Sequence, residues 1–259
     1  MLIHSKKSLL LAFSLALFPC LVHAQSFLDP AFSGVTQYDG WANLNSTNFP
    51  GYGGYPGSTP WPSPILANQV DSGDGGFNKT SGNGYPLSVA SGNYVYVTQP
   101  GGGTSDPTVA VGSFAVSDQT PVSGLKNVLF QSLMGGALMM GGEYVEFASG
   151  IYPVLSYNGG AQNLTATYYD LLWEGELSAD QGDGYGYLRA FQWDLSGIVD
   201  PISSFSISWS NTNHAQIYEM QLNQSDVFTQ VVPEPSAFLL VVSGMSGILF
   251  STRRRFNRK

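Results

Sequence analysis

The chain has a single cysteine in 259 residues, Cys20. It lies in the first 24 residues, so the remainder can close no disulfide and must be held by its core. Histidine is nearly as scarce, and only His214 lies beyond residue 24. A histidine-rich metal centre is thereby excluded, and Ser/His/Asp or Cys/His catalysis has little material. Positive charge is missing too. Residues 25–235 carry only Lys79, Lys126 and Arg189 against all eighteen Asp and Glu, a net charge of −15. So acidic a surface argues against nucleic acid and anionic lipid as partners; it suits divalent cations, or simply solubility. There is no Gly-x-Ser-x-Gly, His-Glu-x-x-His, Walker-type loop or Gly-x-Gly-x-x-Gly at a strand-to-helix turn.

What is present is most legible at the two ends. Lys6 and Lys7 precede an apolar core at residues 9–18, followed by Pro19 and then Val22, His23 and Ala24. This is the three-part layout of a secretory signal peptide. Signal peptidase would cleave after Ala24, with Val22 and Ala24 as the −3/−1 pair, leaving Gln25 first. The apolar core is too short for an anchor. A lipoprotein signal ending at Cys20 fits less well, because Phe18 and Pro19 stand where small residues are preferred.

At the other end, Pro233 and Pro235 fix their own φ and push Val232 and Glu234 toward extended conformations, which suits an extended substrate groove. Residues 236–251 are uncharged and span roughly 24 Å as a helix, the short end for a membrane span. Arg253, Arg254, Arg255, Arg258 and Lys259 then form a stop-transfer cluster that stays cytoplasmic. The order Pro-Glu-Pro, short span, Arg cluster over residues 232–259 resembles the PEP-CTERM sorting signal of Gram-negative bacteria. The resemblance implies recognition of Pro233, Glu234 and Pro235 by an exosortase, a transpeptidase-like membrane enzyme, with removal of the span. Arg253, Arg254 and Arg255 would hold the precursor in the inner membrane until then. It also implies delivery to the surface of an exopolysaccharide-making bacterium, in a biofilm or matrix setting. It gives a destination, not an activity.

Between the ends the pattern is β. Residues 25–64 are rich in Gly, Pro and aromatics and predict an extended arm packed over a sheet, with Trp41, Tyr52, Tyr55 and Trp61 as anchors or as an aromatic ligand surface. Period-two runs follow at 89–98, 109–116, 128–133, 143–147, 164–173, 187–195, 205–210, 215–223 and 227–232. Tyr187, Arg189, Phe191, Trp193 and Leu195 share one face. Tyr218, Met220 and Leu222 share another. A short turn of helix fits 196–202. About ten short strands with no strong amphipathic helix predict one all-β domain over residues 25–231, an antiparallel jelly-roll-like β-sandwich. A signal peptide precedes it and a single membrane helix follows.

Candidate chemistry is sparse. Two loops share Asp-x-Gly-Asp-Gly: Asp71 with Asp74, and Asp180 with Asp183. Their carboxylates and carbonyls suit Ca²⁺, although neither loop fits an EF-hand and both also read as plain turns. No other cofactor is expected. Glu174 and Glu176, two apart on a strand, are the carboxylate pair a glycoside hydrolase would need, or solvated acids at a strand end; Glu143 and Glu146 would fall on opposite faces. Trp173, Tyr185, Trp193 and Trp209 could stack on sugars, or fill the core. His214 reads as a turn residue before a strand. The expectation is an exported, non-enzymatic surface or matrix protein associated with exopolysaccharide. The alternatives are a carbohydrate-binding module and, third, a hydrolase.

Overall fold

The computed structural model describes residues 26–71, 73–101, 106–138, 144–177 and 184–232. Among them there is no α-helix, only strands and two 3₁₀ turns, at Val89–Ser91 and Ala148–Gly150. In chain order the strands are β1 (Thr36–Trp41), β2 (Ile65–Leu66), β3 (Gln69–Asp71), β4 (Gly76–Gly82), β5 (Tyr85–Pro86), β6 (Val95–Tyr96), β7 (Gly112–Asp118) and β8 (Asn127–Gly135). They continue with β9 (Ala137–Leu138), β10 (Tyr144–Val145), β11 (Val154–Tyr157), β12 (Leu164–Thr165), β13 (Tyr168–Glu176), β14 (Tyr185–Asp194), β15 (Phe205–Asn211) and β16 (Gln216–Ser225).

Two antiparallel sheets carry the fold. Sheet A runs β13-β14-β8-β16-β1-β3, with β6 also on β16 and β5 on β6; sheet C runs β12-β11-β15-β7-β4-β2. A small hairpin joins β9 and β10. The sheets meet through aromatic side chains. Trp209 of sheet C lies 5.4 Å, ring to ring, from Phe130 of sheet A, and Phe77 of β4 stacks on Trp209 at 6.0 Å. Burial of each such side chain contributes about 1.5–3 kcal/mol, which suits a domain with no disulfide. Along β15 the alternation is clean: Phe205, Ile207 and Trp209 point into the core while Ser206, Ser208 and Ser210 point away.

Several sequence expectations shift in register or partner. The run at 164–173 is two strands in different sheets, because the chain crosses from β12 in sheet C to β13 in sheet A at Ala166 and Thr167. The run at 89–98 opens with a 3₁₀ turn, and only Val95 and Tyr96 form a strand. A β-bulge between Ile217 and Glu219 rotates the face of β16. Ile217, Met220 and Leu222 therefore reach the inter-sheet core, and Tyr218 packs on the opposite side with Tyr94, Leu133 and Leu188. Residues 196–202 form a turn with no helix. The arm contains β1, fully inside sheet A, so Trp41 is a core residue with its indole N–H donated to the Ile65 carbonyl at 2.9 Å. Trp61 is buried as expected, whereas Tyr55 is 62% exposed and anchors nothing in the core.

Strand β14 is buried on both faces. Phe191 and Trp193 face the core, and Leu188, Ala190 and Gln192 lie beneath chain from both ends of the domain. Residues 227–232 form no strand; Gln192 replaces the neighbour strand. Its Oε1 accepts from the Val231 and Val232 amides at 3.0 and 3.1 Å, and its Nε2 donates to the Thr229 carbonyl at 2.7 Å. Gln131 treats the other end alike, accepting from the Leu28 amide and donating to the Leu28 carbonyl. Two buried amide side chains thus mimic ladder bonds and strap both ends onto sheet A.

Candidate functional site

The four sugar-stacking candidates separate. Trp193 and Trp209 are buried and spend their indole N–H groups inside the protein, on the Leu164 carbonyl and on Asn211. Both are core residues. Trp173 and Tyr185 are half-buried on the neighbouring strands β13 and β14 at the end of sheet A. Glu174 and Glu176 are exposed on the edge strand β13, opposite Tyr187 and Tyr185. His214 occupies a turn before β16 with φ +67°, and its Nδ1 bonds the Tyr96 hydroxyl. Ala24, Glu143, Asp180, Asp183, Pro233, Glu234, Pro235, Arg253, Arg254 and Arg255 lie outside the described residues. So does the side chain of Asp71, whose backbone ends β3.

Beside Tyr187 the structure assembles a cluster that the sequence did not suggest. Arg189 pairs with Glu146, a buried carboxylate. Its guanidinium lies 5.3 Å from the Tyr152 ring centre and 5.5 Å from that of Tyr187. Tyr169, exposed at the edge, packs 5.1 Å from Tyr152. Burial, with Glu146 and Glu174 nearby, pushes the Tyr187 phenol up to about 12, so it remains a neutral donor. This pairing spends the only Arg of residues 25–235.

The second feature is a groove of about 480 Å³ on the outer side of sheet C. Ser113, Ser208 and Ser210 form its floor, and the Ser113 and Ser210 hydroxyls are 2.8 Å apart. Thr80, Thr108 and Tyr152 stand along its sides. Ser149 closes one wall by donating its hydroxyl to the Thr108 carbonyl. No charged residue lines it, although the domain around it is strongly acidic. The outward alternation of Ser on β15 was the sequence signal for this surface.

The third feature is acidic. Asp39 of β1 is fully buried, and its Oδ1 accepts the Gly75 amide at 2.9 Å. A Cβ at Gly73 would stand 2.2 Å from that oxygen, so the turn needs glycine there. Burial, reinforced by Asp118 and Asp74 against the Gly75 bond, pushes the Asp39 carboxyl up to about 6. Asp118, at the end of β7 and also fully buried, is raised by burial too. It accepts from Gln37, Gln224 and the Thr120 amide at 2.9, 2.6 and 2.7 Å. Asp74 is thus brought to partners not adjacent in sequence. As they stand, no three His, Cys, Asp or Glu side chains among the described residues surround a common point that could hold a metal ion. Comparison of the chain with protein-family models, with curated proteins and with solved structures found no match.

Proposed function

We propose that this chain is an exported cell-surface or extracellular-matrix component, sorted by an exosortase-like enzyme and associated with extracellular polysaccharide in a non-enzymatic role. Support for the sorting half is the sequence order Pro233-Glu234-Pro235, apolar span and Arg253–Arg255, preceded by a signal peptide ending at Ala24. The strap at 229–232 adds to it, because the folded domain ends directly against the motif with almost no linker. We read the sandwich as a jelly roll. The strand order β1-β16-β8-β14 in one sheet and β7-β15-β11-β12 in the other supports this.

The observation that carries the polysaccharide half is the groove on sheet C. An uncharged groove, in which the hydroxyls of Thr80, Thr108, Ser113, Ser208 and Ser210 stand among apolar Ala110, Ile151 and Val154 and beside Tyr152, suits an uncharged chain that carries both hydroxyls and apolar ring faces better than a charged polymer. The same observation favours the second reading, a dedicated carbohydrate-binding module. Hydrolysis has weaker support, because Glu174 and Glu176 stand side by side on one exposed strand.

Co-sedimentation of the purified exported protein with the host's own exopolysaccharide tests association. Saturable binding that Ser208→Arg abolishes is the expected result; absence of binding, with and without Ca²⁺, refutes it. Sorting is tested separately by replacing Pro233, Glu234 and Pro235 with Ala. The variant should stay in the membrane with its tail intact, and normal release would sink that half.

A further inference from the structure

The outer face of sheet A carries a second layer of chain that covers two strands and leaves a third open. Over β14 lies the segment 229–232, held by the Gln192 amide. Over β8 lies the arm at 27–32. Phe27 packs on the cluster around Leu133 and Phe32 on that around Leu129, and between them the Gln131 amide grips both backbone groups of Leu28. Over the next strand, β16, the layer is open. Met220 and Leu222 turn into the inter-sheet core, so Gln221 and Asn223 stand outward. A cavity of about 630 Å³ lies above them, within the range of ligand pockets. Phe27, Leu28 and Phe32 of the arm form one wall. Tyr38 of β1, directly opposite Asn223, forms the other. It lies over Gly40 and bonds Gln69 through its hydroxyl.

The amides on this floor are unmet. Gln221 is the cross-strand neighbour of Gln131 on the same face, yet its side chain makes no hydrogen bond among the described residues. Asn223 Oδ1 is buried without a donor, which is costly. Turning that amide about its last bond brings either end to the cavity. The two side chains stand two residues apart on one strand, about 6.6 Å, which is the repeat of an extended backbone. We propose that the cavity receives an extended polypeptide segment of another protein, laid along β16 beside the arm. Gln221 and Asn223 grip its alternate backbone N–H and C=O groups, as Gln131 and Gln192 grip this chain's own two ends, and its apolar side chains pack on the arm. Charge sets the kind of segment. Asp29 is the one charged residue on the lining, and residues 25–235 carry a net charge of −15, so the segment is neutral or basic. A second copy of the chain brings the same acidic surface and is disfavoured. The site lies on the other sheet from the hydroxyl groove and stands independently of the polysaccharide reading.

The test pans a random peptide library displayed on phage against the exported protein. Enriched sequences should be poor in Asp and Glu. A synthetic peptide carrying one of them, blocked at both ends, should bind the parent saturably in calorimetric titration. The double variant Gln221→Ala with Asn223→Ala should keep the parent's melting temperature and bind that peptide at least about tenfold more weakly. Asp29→Lys should shift the enriched sequences toward acidic ones, and Ser208→Arg should leave peptide binding unchanged. Failure to enrich any sequence, full binding by the double variant, or enrichment of acidic peptides on the parent overturns the proposal. So does loss of polysaccharide co-sedimentation in the double variant, which would give the cavity to sugar instead. Failed association of the parent with polysaccharide leaves the peptide readouts untouched.

Discussion

Asp39→Asn should flatten the pH dependence of stability in metal-free buffer. The folded protein keeps a proton on Asp39 up to about pH 6, whereas an ordinary carboxyl releases it near 3.8. Below pH 3.8 both states hold the proton and the group contributes no difference. Between 3.8 and 6 the folded state binds more protons than the unfolded chain, so stability falls as pH rises. Above about pH 6 the loss is complete. At about 1.4 kcal/mol per pH unit the full loss is about 3 kcal/mol. For a domain of this size that corresponds to roughly 6–12 °C in melting temperature. Asparagine keeps the bond from Gly75 to Oδ1 and cannot ionise. The assay is urea unfolding at pH 4.5, 5.5, 6.5 and 7.5 in chelator. From the lowest to the highest pH of the assay the parent should lose about 2 kcal/mol more than the variant, the rest of the loss lying below pH 4.5. Asp118 and Glu219, both raised by burial, leave a residual slope in each. Parallel curves for the two proteins would refute the account of a buried, uncompensated carboxylate.

Two further substitutions probe the straps and the core. Gln192→Ala removes the acceptor for the Val231 and Val232 amides and the donor to Thr229. It should cost about 2–3 kcal/mol in unfolding and open residues 227–232 to limited proteolysis, which the parent resists. Trp209→Ala empties the contact between the sheets at Phe130 and Phe77. A loss of about 3–5 kcal/mol in chemical denaturation is expected.

Legibility in the sequence followed side-chain polarity. Strands β7, β8, β14, β15 and β16 announced themselves because their inward residues are apolar and alternate. Strands β1 and β4 did not. The inward residues of β1 include Gln37 and Asp39, and β4 buries Lys79, polar groups that are tolerable inside only because partners from distant segments meet them. The bulge at β16 moved Tyr218 off the face its spacing predicted, since one extra residue inverts the alternation. Asp74 was visible as part of a loop motif. Asp39 and Asp118 were not, because nothing in a linear pattern marks carboxylates that arrive from separate strands.

By itself the sequence determined the acidic, disulfide-free character of residues 25–235 and their β class. These rest on counts and periods, which are local properties of the chain. It also supplied the terminal motifs from which sorting is inferred. Only the tertiary structure decided which tryptophans are core and which of a strand's faces is covered. It alone brought Asp39, Asp74 and Asp118 together and left the hydroxyl groove uncharged. Alternation says that two faces differ; burial and charge pairing depend on what the rest of the chain lays against each face.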